Sequence, residues 1–140
     1  VLILVRELDV PAELSDVSWE NPVPEALRSL SLQDFWERFG ELEAEIERRR
    51  QALSSDEVLR YVGDIIWDDV RQEATLTAGL RAVSSSSPLG RVSGADSCFE
   101  IYTESYGSQP IVIQGAGAGA SVTARGVFGD VLRLAEGYES

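Results

Sequence analysis

The sequence predicts an α+β fold: a mainly antiparallel or mixed sheet, covered by helices on one face, that ends in a glycine-rich turn and a C-terminal helix. Three observations predict it. Leu32, Phe35, Trp36, Phe39, Leu42, Ile46 and Leu53 recur at helical spacing. The β-branched and aromatic run 58–66 is followed by an alternation in which Val70, Ala74, Leu76, Ala78 and Leu80 fall on one side and Arg71, Glu73, Thr75 and Thr77 on the other. That two-residue period predicts an antiparallel hairpin. Finally, the apolar strand Ile111-Val112-Ile113 runs through alternating Gly and Ala into a helical pattern.

The elements follow in order. Residues 1–8 carry an apolar face followed by Arg6 and Glu7, the pattern of a helix end, and Pro11 breaks it. Residues 16–20 alternate as a short strand, and Asn21-Pro22-Val23-Pro24 is a rigid connector. Ser31 caps the long helix, with Asp34 at its third position. Asp34/Arg38 and Glu45/Arg49 are spaced as favourable ion pairs with the acid first. Trp67-Asp68-Asp69 supplies the hairpin turn, and Ser84-Ser85-Ser86-Ser87-Pro88 marks a loop too short to separate domains. Residues 98–104 and 110–114 read as two further strands connected through Gly107. The last helix, over 118–135, carries Val122, Val127, Val131 and Leu134, and Gly137 is suited to end it.

Composition excludes more chemistry than it supplies. The 140 residues suit one domain, and 44% apolar with 26% charged content is ordinary globular usage. There is no His and no Met, and all 12 basic residues are Arg. Imidazole triads, lysine Schiff bases and the P-loop lysine are therefore excluded within these residues. A single cysteine, Cys98, excludes an internal disulfide and any CxxC motif. A net charge of -12 repels phosphate backbones, so no nucleic-acid partner is expected. No apolar run approaches the roughly 20 residues of a membrane helix, so no membrane partner is expected either. No metal site is expected. The chain opens on Val1-Leu2-Ile3-Leu4-Val5, a run that reads as the interior of an element, and a piece of a longer protein is expected.

One constellation has functional shape: Ile111 to Thr123, a strand, a Gly/Ala turn and a helix start. Glycines there permit positive φ and close approach of a ligand, and a helix start presents free N–H groups to an anion. It is not the Rossmann fingerprint, because Ala120 or Val122 stands where the third glycine belongs. A tight packing junction and a phosphate contact both remain open on these residues. The pairs Asp68/Asp69 and Asp56/Glu57 lack dyad or calcium-loop spacing and read as turn or cap residues. Cys98 reads as a buried inert thiol. Trp19, Trp36 and Trp67 read as core or turn-packing residues.

The stretch 109–133, with Gly115-Ala116-Gly117-Ala118-Gly119, Val122-Thr123-Ala124, Gly126-Val127-Phe128 and Asp130, resembles the C-terminal signature of homoserine dehydrogenases. Leu59-Arg60-Tyr61-Val62-Gly63 is similar to a second family segment, and Ser87-Pro88-Leu89 with Gly94-Ala95-Asp96 to a third. The opening run resembles the helix that follows the family's catalytic lysine. The resemblance implies an oxidoreductase that interconverts aspartate-4-semialdehyde and homoserine with NADP or NAD, in threonine and methionine biosynthesis. The family also occurs fused behind an aspartate kinase. By this resemblance, residues 1–140 form part of a catalytic and dimerisation domain. The Rossmann domain, the lysine and the substrate carboxylates belong outside these residues, so no catalytic residue is assigned and the isolated chain is expected to be inactive. Carried over residue by residue, the cofactor contact falls on Gly119, with Gly117 and Thr123 as neighbours. Gly119→Val is expected to weaken cofactor binding and spare the fold. A small-molecule substrate, a homodimer and a cytoplasmic or plastid location are also implied. The competing reading is a non-catalytic structural or dimerisation module. Ser97 and Arg125 depart from the family pattern, which commonly has Asn and a small residue there.

Overall fold

A computed structural model describes residues 1–137. The chain divides into two compact units, the first Val1–Ser84 and the second beginning at Ser85. The division falls inside the serine run 84–87, which corrects the expectation that so short a loop does not separate domains. Its physical basis is that every strand pairs within its own unit.

The first unit is built on a long hairpin. Strand β2 (Glu57–Asp68) pairs antiparallel with β3 (Glu73–Ser84), from Glu57 opposite Ser84 to Asp68 opposite Glu73. The short strand β1 (Val17–Trp19) adds to β3 in parallel, giving the order β1-β3-β2 and a mixed sheet. The hairpin turns one step later than Trp67-Asp68-Asp69, because Asp68 is still paired. Its carboxylate accepts from the N–H groups of Val70 at 2.9 Å and Arg71 at 3.0 Å, and Gln72 supplies the positive φ of 55°. Trp67 Nε1 donates to Asp69 at 2.7 Å. The acidic pair thus has the turn role its spacing suggests.

The core lies between helix α1 (Leu2–Arg6) and one face of this sheet. Val5, Ala12 and Leu76 are buried together, with Val1, Leu2, Val10, Val17, Ile65 and Ala74 packed around them. Register explains the set: Ile65 is opposite Leu76, and Val17 is also paired with Leu76. Gly63 sits under the start of α1, where a Cβ would stand 2.5 Å from the Val1 side chain. The chain leaves α1 through Asp9, whose φ is 58°, and Arg6 then holds the Ala12 carbonyl at 2.7 and 2.9 Å.

A charged cluster ties the remaining helices to the sheet. The short helix α2 (Glu25–Arg28) follows the proline connector and buries Leu27. The predicted long helix is two: α3 (Leu32–Glu37) and α4 (Phe39–Gln51), parted at Arg38 with φ -105° and ψ 10°. Gly40 lowers helix propensity at the junction. The rings of Phe35, Trp36 and Phe39 close on one another there, with centroids 5.3–5.9 Å apart. Arg38 therefore pairs with Glu41 at 2.7 Å, not with Asp34. Ser31 caps α3 as predicted, accepting from Asp34 N–H at 3.1 Å. Glu45 binds Arg49 at 2.8 Å, and Arg49 also binds Glu20, which lies over Gly79 and is 4.0 Å from Arg81. Tyr61 donates its hydroxyl to the Glu20 carbonyl at 2.9 Å.

In the second unit, Ser87 caps the one-turn helix α5 (Pro88–Arg91), accepting from Gly90 N–H at 3.0 Å, so the serine loop ends as a cap. Strands β4 (Asp96–Ile101) and β5 (Ile111–Ala116) pair antiparallel, and α6 (Ala120–Gly137) follows. The pair sits about two residues away from the predicted bounds. The cause is the turn around Thr103, whose carbonyl accepts from Tyr106 and Gly107, the latter at φ 60°. The three tryptophans are exposed, at 59% for Trp19, 61% for Trp36 and 43% for Trp67, which corrects the core assignment. Only Trp67 keeps its turn role.

Two outcomes follow from this packing. Leu76→Ala removes the side chain on which α1 closes, and a loss of about 2–5 kcal/mol is expected in denaturant unfolding. The Arg49 hydrogen bond, then its charge, holds the Glu20 carboxyl below the usual carboxylate range. A depressed folded pKa stabilises above the unfolded value and is lost as pH falls through the folded one. Melting of the wild type should therefore fall more steeply below pH ~4.5 than melting of Arg49→Gln. The half-exposed pair limits the difference at neutral pH to about 1 kcal/mol or less. Parallel melting profiles for the two proteins would exclude the contribution.

Candidate functional site

The glycine turn between β5 and α6 is where backbone, not side chains, presents the chemistry. On β4, Asp96, Cys98 and Glu100 point to the half-buried face, and Ser97, Phe99 and Ile101 to the exposed one. Asp96 is opposite Ala116 and Ser97 opposite Gly115, so the start of β4 lies beside the end of β5. Gln114 donates to Asp96 at 3.3 Å across the pair. This register delivers Gly117, Ala118 and Gly119 to one end of the hairpin.

The two candidate glycines are glycine for different reasons. Gly119 has φ 120°, which side chains rarely adopt, and nothing lies within 4 Å of where its Cβ would be. Gly117 has no such φ, but its Cβ would stand 2.6 Å from Ser97 Oγ and 3.2 Å from Ser97 Cβ. Valine at 119 therefore strains the backbone as well as blocking the space, which corrects the expectation that it spares the fold.

Gly119 also leaves α6 without a side-chain cap. Thr123 N–H donates to the Gly119 carbonyl at 3.1 Å, the first bond of the helix. The N–H groups of Ala120, Ser121 and Val122 have no partner among the described residues. Ser31 and Ser87 fill that role at α3 and α5. Three unpaired amides at the positive end of an 18-residue helix, beside an open glycine, have the donor set for an anionic oxygen. Gly119, Gly117 and Thr123 are brought together in the turn, and Arg125 lies exposed on the same helix.

The other titratable groups nearby are occupied. Glu100 accepts from Leu89 N–H at 3.2 Å and from the Tyr102 hydroxyl at 2.9 Å, and that bond pushes the Tyr102 phenol up. Burial, then Glu100, pushes the half-buried Cys98 thiol up, which disfavours its thiolate. Among the described residues no group of three or more His, Cys, Asp or Glu is placed to hold a metal ion. No described helix is long and apolar enough to cross a membrane. The Ser97 contact escaped the sequence reading because it crosses the hairpin, and only the register reveals it.

Comparison with known proteins agrees along the chain. The family model described as homoserine dehydrogenase matches residues 1–132. A chloroplastic bifunctional aspartokinase/homoserine dehydrogenase of Daucus carota is 40% identical over 137 residues, covering 96% of this chain and 14% of that protein. The homoserine dehydrogenase of Saccharomyces cerevisiae is 32% identical over 145 residues, and the match covers 39% of it. A crystal structure of a Candida auris protein of unknown function superposes with a TM-score of 0.65 at 35% identity, covering 86% of this chain and 33% of that one. The chain thus spans a minor part of each of these relatives.

The conformational difference between neighbouring glycines is measurable. Gly119→Ala is expected to cost about 1–3 kcal/mol of backbone strain. Gly115→Ala, with open space and extended backbone, should stay within about 0.5 kcal/mol. Hydrogen exchange at the bonded amides of α6 from Thr123 onward, in the full-length protein, reads the comparison. Equal protection in the two variants would remove the argument for strain at Gly119.

Proposed function

The chain belongs to the homoserine dehydrogenase family, and from that membership and its glycine turn we propose that it is the later part of the catalytic and dimerisation domain of such an enzyme. The parent protein interconverts aspartate-4-semialdehyde and homoserine with NADP or NAD and acts as a homodimer on its small-molecule substrate. The observation that carries the cofactor assignment is the pairing of unsatisfied amides at Ala120–Val122 with the open, left-handed Gly119. A location in the cytoplasm or in a plastid fits the family, and the chloroplastic naming of the carrot relative supports the plastid.

In this reading the nicotinamide cofactor, when bound, supplies the hydride chemistry. The residues of this chain bind and orient. The amides of Ala120, Ser121 and Val122 donate toward cofactor phosphate oxygens, and the α6 dipole favours their charge. Gly119 keeps a Cβ out of that approach. Thr123 holds the first turn of α6 in place through its bond to Gly119. The proton chemistry belongs to a lysine that this chain lacks, since it contains Arg but no Lys. The isolated chain is accordingly inactive.

The test is homoserine-dependent reduction of NADP by the full-length protein, with the 140-residue chain assayed beside it. Turnover in the full-length protein alone is expected. In that protein Gly119→Val should raise the cofactor KM at least tenfold, a loss of about 1.4 kcal/mol of binding. Silence of the full-length protein would leave the non-catalytic module as the reading, and turnover by the isolated chain would overturn the assignment of chemistry elsewhere.

A further inference from the structure

The closest approach that holds the turn in place comes from β4. Ser97 stands opposite Gly115 in the pair, yet its side chain reaches past that position to Gly117. A Cβ on Gly117 would meet Ser97 Oγ at 2.6 Å and Ser97 Cβ at 3.2 Å, whereas Gly115 and Gly119 have nothing within 4 Å. Gly117 thus has a protein neighbour where a side chain would stand, and Gly115 and Gly119 do not. Ser97 and Gly117 are both exposed and the Ser97 hydroxyl can turn aside, but Ser97 Cβ is fixed to the β4 backbone, so a methyl group at Gly117 must move one chain or the other by about a few tenths of an ångström. The displaced element here is the two-residue link, Gly117-Ala118, that joins β5 to Gly119.

We infer that Ser97 is a positioning residue for the cofactor contact: packed on Gly117, it sets where Gly119 and the first amides of α6 stand. The inference rests on the reading of the glycine turn as a cofactor contact and assigns part of that geometry to a side chain on a different strand. It acts on cofactor binding and leaves the homoserine side of the reaction alone, because Ser97 touches the turn and no assigned substrate group.

The experiment is a size exchange in the full-length enzyme, read by the Kd for NADP from a fluorescence titration without homoserine, which should follow the NADP KM, and by steady-state kinetics with NADP and homoserine varied separately. Gly117→Ala should raise the NADP KM about tenfold, with the homoserine KM and kcat changed less than twofold. Adding Ser97→Gly to that variant should recover most of the NADP KM, since the space returns from the other side. Ser97→Val, which enlarges the same contact from β4, should reproduce the Gly117→Ala phenotype, and it keeps the test open should Gly117→Ala fail to fold. Failure of Ser97→Gly to recover the NADP KM, equal losses in both KM values, or an NADP KM within twofold of wild type in both enlarging variants would each overturn the inference. Gly119→Val separates the two levels. If it too leaves the NADP KM unchanged, the cofactor reading itself has failed; if it raises the NADP KM while the exchange shows no coupling, only the role of Ser97 falls.

Discussion

The pairing of β2 with β3 runs unbroken from Glu57 opposite Ser84 to Asp68 opposite Glu73, and the first unit is arranged by it. Side chains alternate across a strand, so a slip of one residue would send Ile65 and Leu76 to the wrong face. Register puts those two opposite each other under α1 and puts Gly63 where the helix start needs room. It also places Gly79 and Arg81 on the face where Glu20 arrives from the end of β1. The hydrophobic core and the ion cluster are thus two consequences of one alignment, which Asp68 anchors at the turn through two backbone N–H groups.

The ion cluster does a job that the small core cannot. Only Val5, Ala12, Leu27 and Leu76 are buried apolar residues among those described. The helix α4 carries no buried residue, so its attachment draws on Arg49, which bridges Glu45 on its own helix and Glu20 beside the sheet. An all-Arg basic complement suits such bridging, because a guanidinium serves two carboxylates at once through fixed, separate donors. Glu45, held by both Arg48 and Arg49, has its carboxyl drawn down to about 2 and stays ionised through any ordinary pH.

What was legible in the sequence was local. Ser31 caps a helix whose third amide lies three residues on, and such a bond is visible as a spacing, whereas the Ser87 cap lay hidden in a serine run that reads as a loop. The hairpin was legible because its alternation persists over a dozen residues. The break at Arg38 was hidden by a hydrophobic stripe that continues across it. The tryptophans were misplaced because residue type predicts burial only where a neighbour exists to cover it. The glycine turn was readable as a motif, and the family resemblance singled out Gly119 within it. The division of labour between Gly117 and Gly119 was not readable, since it depends on a φ of 120° at one and on a cross-strand serine at the other.

That division bears on how a backbone site stays in register. Amides bind an anion only where they are held, and they have no side chain by which to be held. Residues of α6 such as Val127, Val131 and Leu134 are exposed, so burial does little to fix the helix within its unit. Most helical stability in proteins comes from tertiary packing, on which these exposed residues draw little. The first turn must then inherit its position from the strand it follows, through the two residues that precede Gly119. β5 is itself located by β4, and the side chain that carries the location furthest along the link is Ser97. A turn made of glycines and amides is thus held by residues that are neither, and in this turn that neighbour lies on the paired strand, where a motif search does not look.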